Sequence, residues 1–376
     1  MRILHVITTL DVGGAEMHLL SQVRGQTRRG HAVRVAYLKG AGRLRADFEQ
    51  AGAEWVGRVG PLSARLLRHL AWSDVAHSHL LKADVAAALC ATLRGRRRRL
   101  VSGKHNDEQV LKRPLVSFVH GIVGNLPART IVLSDHVGRF IEEHGRVDPA
   151  RIERVYYGID PRPFALAAGE AGAARGALRA AFGFGPEDVV FVCVARFAPQ
   201  KAHDVLLRAF HAARAERPED MGLRLLLVGD DPFGDGRRRA EALADELGLR
   251  ADGAVHFAGI RRDVPQVLAS SDVFVMSSLW EGLGLVFLEA MAAGLPVLST
   301  RVSAIPEVVV DGETGVLVAP ADPGALARAM LGLAGDAELR ERMGRAGRAR
   351  VADLFGLERM VEETLAIYRE VLERSP

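Results

Sequence analysis

Residues 277–300 read SSLWEGLGLVFLEAMAAGLPVLST, and the fold is decided by how this stretch is read. Glu281 and Glu289 are eight positions apart, so with residues 285–293 helical they lie a little over two turns apart on nearly one face. One carboxylate then belongs to a loop and the other to the helix. Gly282 and Gly284 remove side chains around Leu283 and Leu285, where backbone N–H groups open that helix. A helix start of this kind, with the positive end of its dipole exposed, is a ready anion site. Phosphate is the guest this chemistry suits.

Upstream, VVFVCVA at 189–195 is a continuous apolar run of the kind found in a buried parallel strand. Arg196 and Lys201 follow it, ahead of a helix that begins near His203 and Asp204. Two cations five apart in a strand-to-helix loop suit a diphosphate, Arg through its planar fork and Lys as a point charge. LRLLLVG at 223–229 and the segments 255–260 and 272–276 add further strands, with helices at about 237–247 and 263–269 between them. Alternation at this spacing predicts a parallel sheet.

The first half repeats the pattern. RILHVIT at 2–8 precedes Gly13, Gly14, Ala15 and Glu16, which open an amphipathic stretch to about residue 29, a strand, glycine loop and helix in order. Gly13 and Gly14 form either a tight turn or a close backbone approach to a ligand. Strands are expected at 31–38, 53–59, 74–79, 100–102, 129–133 and 151–157. Residues 108–125 read as one helix despite Pro114. His77 and His79, two apart on an extended segment, point to one side and are expected as polar groups at a crevice rim. No further metal ligand is evident at a matching position. His105, just after the 100–102 strand, is either a surface loop residue or part of a site at the sheet's carboxyl edge. Residues 161–186 shift to Ala, Gly and Pro without strong periodicity and read as a linker.

The pattern Glu-Gly-x-Gly-Leu-x-x-x-Glu-Ala-Met-Ala-x-Gly-x-Pro-Val at 281–297 resembles the signature of family 4 retaining glycosyltransferases, which use nucleotide sugars and have the GT-B fold. The resemblance implies an α/β protein of two Rossmann-like domains with parallel sheets facing across an inter-domain cleft. It divides the chain into an acceptor-binding domain at 1–160, a linker at 161–186, a nucleotide-sugar-binding domain at 187–356 and a last helix from 357 that crosses back to the first domain. By resemblance, Glu281 reaches hydroxyls of the transferred sugar, Glu289 holds the ribose, and Gly282, Leu283, Gly284 and Leu285 meet the diphosphate. Arg196 and Lys201 match the family's Gly-Arg-x-x-x-x-Lys-Gly motif, with Ala195 and Ala202 in place of its glycines. Ile260 lies in the loop that cups the nucleobase, Gly13 and Gly14 lie against the diphosphate and acceptor, and His105 faces the sugar. Gly158, Ile159 and Asp160 match a hinge motif in which Tyr157 replaces Asn.

A chain of 376 residues suits two domains, each with a full core. Composition, 48% hydrophobic and 26% charged, is that of a folded soluble protein. No apolar run is long enough to span a bilayer, and the start of the chain reads as a strand, not a signal peptide, so a cytoplasmic enzyme is expected. Cys90 and Cys193 fit neither a disulfide framework nor a zinc site. The run Arg94-Gly-Arg-Arg-Arg-Arg99 is either a solvated loop or a patch for anionic lipid headgroups at the inner face of a membrane. It lacks the interleaved aromatics of a nucleic-acid surface.

The expected reaction is retaining transfer of a hexose-type sugar from a nucleotide sugar, a UDP-sugar by family frequency, to a glycan, lipid-linked or small-molecule acceptor. The reading needs no cofactor beyond that donor and assigns no metal. A nucleotide-sugar 2-epimerase of the same fold and a non-catalytic nucleotide-sugar binder are the alternatives.

Overall fold

The computed structural model describes residues 1–169, 171–231 and 234–374. The chain divides into two compact units, Met1–Ile159 with Leu354–Pro376, and Asp160–Asp353.

In the first unit the order is β1 (Arg2–Ile7), α1 (Gly14–Arg28), β2 (Ala32–Tyr37), α2 (Arg45–Gln50), β3 (Trp55–Arg58), α3 (Ala64–Trp72) and β4 (Val75–His79). It continues with α4 (Leu81–Leu93), β5 (Leu100–Lys104), α5 (Pro114–Gly124), β6 (Arg129–Val132), α6 (Asp135–Glu143) and β7 (Ile152–Arg154). The strands form one parallel sheet in the order β3-β2-β1-β4-β5-β6-β7. Its order reverses between β1 and β4, and at such a switch point two loops diverge and leave room for a ligand. One sheet face packs Ile3, Val23 and Val101 with Val361 and Leu365 from near the chain end, and the other packs Leu4, Leu66 and Ala87.

The second unit begins with α7 (Arg162–Gly169) and α8 (Ala171–Ala181), then β8 (Val189–Val194), α9 (His203–Glu216), β9 (Leu223–Val228), α10 (Gly236–Glu246) and β10 (Val255–Gly259). Next come α11 (Val264–Ala269), β11 (Val273–Met276), α12 (Leu285–Ala293), β12 (Val297–Thr300), α13 (Ile305–Val308), β13 (Gly315–Val318), α14 (Pro323–Gly335) and α15 (Ala337–Leu354). Its parallel sheet runs β10-β9-β8-β11-β12-β13, with the switch point between β8 and β11. The last helix, α16 (Leu357–Glu373), packs on the first unit.

Three local expectations give way. Residues 161–186, expected to be an aperiodic linker, form α7 and α8 within the second unit, apart from Glu170, which lies outside the described residues. The cause is electrostatic: Arg175 and Arg179 both grip Asp272 at 2.6 Å, and Arg179 also donates to the carbonyls of Ser270 and Asp188. The helix expected over 108–125 is a short 3-10 turn at Gln109–Lys112 followed by α5, because Pro114 has no N–H to continue a helix and serves as its first residue. The strand expected at 151–157 is only Ile152–Arg154.

Candidate active site

Loops that leave the two central strands of the second unit are stitched together by short hydrogen bonds. The Ser277 hydroxyl lies 2.9 and 2.8 Å from the carbonyls of Lys201 and Ala202, Leu279 N–H donates to Gln200 O at 2.8 Å, and the Gln200 amide donates to Trp280 O at 2.6 Å. Thr300, at the end of β12, fixes the same loop by donating to Ser278 O at 2.5 Å. These bonds bring residues 80 positions apart together: Lys201 Nζ forms an ion pair with Glu281 Oε1, and both side chains are largely buried. The Ser278 hydroxyl donates to the same oxygen at 2.7 Å.

Ala202, where the resembled motif has Gly, keeps a left-handed backbone at φ 45°, ψ 51°. The loop retains its glycine-type turn, at a cost of about 1 kcal/mol for a residue with a Cβ. Arg196 is exposed on the same loop.

The helix of the opening stretch forms as expected, at Leu285–Ala293, with Glu281 in the loop before it. Gly284 is its N-cap at φ +82°, where a Cβ would come within 2.5 Å of the Phe287 ring, so only glycine fits. No side chain caps this end, and its first N–H groups stay available for an anion. Glu289, half-buried on the helix, has no hydrogen-bond or charge partner among the described residues, and burial pushes its carboxyl up to about 7. Leu283 is buried, whereas Ile260 is 66% exposed just after Gly259, whose φ is +67°. A cavity of about 540 Å³ beside this region is lined by Phe197, Pro199, His203, Arg239 and Leu279 and by none of the residues expected from sequence.

In the first unit, Gly13 is extended and a Cβ there would lie 2.6 Å from Glu16 Oε2, whose carboxylate folds back over the loop and accepts from Thr9 at 2.5 Å. A Cβ on Gly14 would meet nothing within 4 Å.

His77 and His79 are not at a rim; they are 2% and 0% exposed, beneath α1 and α16. The reason is register, which pairs His5 with His77 and Ile7 with His79 and so sets His5, His77 and His79 on one covered face. A matching third histidine therefore exists, and the three offer nitrogens within 4.8 Å of one another. Burial holds His5 and His105 at about 4 and pushes His79 well below its usual 6.5, so these imidazoles are neutral and each has one N–H to give.

Their tautomers follow from Met360, whose carbonyl can only accept. Thr364 donates to it at 2.8 Å, so the Thr364 oxygen accepts from Gln22, and the Gln22 carbonyl accepts from Gln26 at 3.4 Å. Gln26 Oε1 must then accept from His5 Nε2 at 2.9 Å, leaving His5 Nδ1 to accept from His79 Nε2 at 3.0 Å. His79 Nδ1 in turn accepts from His105 Nε2 at 2.9 Å, and His105 Nδ1 from the Tyr157 hydroxyl at 2.6 Å. The chain is unidirectional from Tyr157 to Met360. A cation among the three histidines would have to displace the proton between His5 and His79. His77 stands aside, bonded to Tyr368 at 2.6 Å, with its Nε2 unpartnered.

His105 thus has both ring nitrogens engaged within the protein, an outcome its position in sequence does not reveal. Gly103 makes the convergence possible, since a Cβ there would lie 2.8 Å from His77 Nε2, 3.1 Å from His79 Nδ1 and 3.2 Å from His105 Nε2. Sequence reading missed Ser277, Ser278 and Gln200, which have only their positions at strand ends as a signal, and His5, Gln22 and Gln26, which have none.

Two doubly wound parallel sheets, one carrying an ion pair and an uncapped helix start at its switch point, define the GT-B glycosyltransferase fold. The Anabaena Alr3699/HepE protein, solved with UDP, matches at TM-score 0.85 with 21% identity, covering 98% of this chain and 100% of that one. The same protein with UDP-glucose matches at 0.83, 22% identity, 98% and 100%. Residues 188–336 match the family model described as glycosyl transferases group 1, and residues 12–162 the model described as Glycosyltransferase Family 4. The chain belongs to the group 1, family 4 glycosyltransferases. The D-inositol 3-phosphate glycosyltransferase of Streptomyces avermitilis is 35% identical over 235 residues, 61% of this chain and 49% of that protein. The N-acetyl-alpha-D-glucosaminyl L-malate synthase of Bacillus anthracis is 29% identical over 301 residues, 80% and 75%. Alignment with the D-inositol 3-phosphate glycosyltransferases of Streptomyces spans about half the length of those relatives.

Proposed function

We propose that the chain is a retaining glycosyltransferase that moves a hexose-type sugar from a UDP-sugar to a hydroxyl of a glycan, glycolipid or small-molecule acceptor. One observation carries the reading: the buried Lys201–Glu281 pair lies in the same loop pair as the uncapped start of α12, followed by an unpartnered Glu289. This set offers a cation and backbone donors to a diphosphate and two carboxylates to hydroxyls. The Anabaena neighbour solved with UDP-glucose supports the donor class.

In this reading Lys201, Arg196 and the N–H groups at Gly282, Leu283, Gly284 and Leu285 hold the diphosphate, Glu281 the sugar hydroxyls, Glu289 the ribose and Ile260 the base. As the bond from sugar C1 to the diphosphate oxygen breaks, its electron pair stays on the phosphate, where these fixed groups meet the developing charge. The acceptor hydroxyl attacks C1 from the same face and gives its proton to the departing phosphate oxygen. Fixed cations and backbone dipoles supply the charge complement, so the reading assigns no metal.

Gly13, Gly14 and His105 are the acceptor-side residues of the first unit, and His105 would reach a sugar by exchanging Tyr157 for a sugar hydroxyl. The enzyme works in the cytoplasm, with the 94–99 arginine run against the anionic inner face of a membrane.

The test is incubation of the purified chain with a panel of nucleotide sugars, following thermal shift and slow release of free nucleoside diphosphate. A response to one UDP-sugar, lost in Glu289→Ala, is expected. Binding of nucleotide sugar without any release, even with candidate acceptors present, would instead make the chain a binding protein.

A further inference from the structure

Helix α5 is inside out. It buries Ser117, His120 and Gly124 and exposes Leu115 at 75%, Phe118 at 55%, Val119 at 50% and Ile122 at 59%. The exposed residues recur at i, i+3, i+4 and i+7, which makes a continuous apolar stripe along one side. The inner face is held by polar chemistry: His120 donates to Gly145 O at 2.6 Å and lies 3.3 Å from Lys104, whose ammonium is paired with Asp84 at 2.5 Å.

The neighbouring α4 packs on the same sheet face and adds Leu89 and Leu93, so six of the eleven large apolar residues exposed among the described residues lie on these two helices. The arginine run begins where α4 ends. Residues 85–134 hold nine basic and two acidic residues, in a chain whose net charge is only +4; of the nine, Lys104 is buried against Asp84 and Arg129 is paired with Glu370. One of the two acids, Asp107, is bonded to His136 at 2.8 Å. An apolar stripe bordered by cations and free of acids is the composition of a surface that lies in a membrane interface.

We propose that the outer faces of α5 and the end of α4 insert into the headgroup boundary of an anionic bilayer, while Arg94, Arg97 and Lys112 contact lipid phosphates. The proposal rests on the membrane reading of the arginine run and adds the inserted surface to it. A second copy of the chain fits the patch less well, because a two-fold contact would press the same cationic rims together. No helix among the described residues is long and apolar enough to cross a membrane, so the attachment is peripheral.

The experiment is sedimentation of the full chain with phosphatidylcholine vesicles, with and without phosphatidylglycerol. Binding only to the anionic vesicles, weakened by salt, is expected. The pair Phe118→Gln and Ile122→Gln should lower partition by about tenfold or more, as should Arg94→Gln with Arg97→Gln. Because Cys90 and Cys193 are buried, Ile122→Cys can carry a polarity-sensitive dye, whose emission should shift to the blue on anionic vesicles. If the arginine variant loses binding while the apolar variant keeps it and the dye does not shift, insertion is overturned and the electrostatic reading survives. If the unmodified chain binds no vesicle, both fall. Concentration-dependent dimerisation abolished by the apolar variant would give the stripe to a second copy.

Discussion

The Ser278 hydroxyl donates at 2.7 Å to the same Glu281 oxygen that holds Lys201, so one carboxylate atom ties together the loops after β8 and β11. Removing one member strands its partner in a buried place, where the remaining charge costs more than the lost attraction. Lys201→Met is expected to lower stability by roughly 3 kcal/mol, and Lys201→Met with Glu281→Gln by less than the two singles added together. Urea titrations of the four proteins check this. In turnover, Lys201→Ala should lower kcat by about a hundredfold or more with a smaller change in KM; unchanged kinetics would remove Lys201 from the reaction.

Glu289 should make both stability and nucleotide binding depend on pH. Its folded value, about 7, is above the usual carboxyl value of 4.5, so between those limits the folded state binds more protons than the unfolded state. Stability contributed by this group is therefore present below 4.5 and lost as pH rises towards 7. Comparing Glu289→Gln with the unmodified chain at pH 5 and pH 8 should show the variant relatively more stable at the higher pH. UDP affinity should rise with pH through 7 in the unmodified chain alone, as the carboxyl ionises to accept a hydroxyl; calorimetry reads both.

The buried histidines carry the opposite sign. His5, His105 and His203 sit near 4 against an ordinary 6.5, chiefly through burial, so on acidification the unfolded chain takes up protons first. Unfolding free energy should fall steeply between pH 6.5 and 4 and be nearly free of histidine effects above 7. Nitrogen NMR at neutral pH should find His105 protonated on Nε2 and bare on Nδ1. The reverse tautomer would break the chain to Met360.

Two small-residue changes probe backbone and space. Ala202→Gly should hold or raise stability, by up to about 1 kcal/mol, since it relieves a left-handed alanine while loosening the unfolded chain. Gly103→Ala should cost about 1–3 kcal/mol, because its methyl enters a gap bounded by three imidazoles. Thermal denaturation reads both.

Where sequence was informative, the physics was local. Apolar strands such as residues 189–194 and the glycine at 284 state their own conformation, and charges at strand ends mark the loops that diverge at a switch point. The rest depends on partners far along the chain. Arg175 and Arg179 order a stretch that looks like a linker, because Asp272 waits more than ninety positions away. His5 joins His77 only through strand register. In α5 the period of the apolar residues is plain, but period alone does not tell which way a stripe faces, and here it faces out.

Helix α16 completes the first unit from the far end of the chain, through Gln22 to Thr364 at 2.8 Å, His77 to Tyr368 at 2.6 Å and Arg129 to Glu370 at 2.5 Å. On the ribosome, the whole second unit is therefore made before α16 can join α1 in covering one face of the first unit's sheet. The unit whose synthesis begins first is thus the last to be finished.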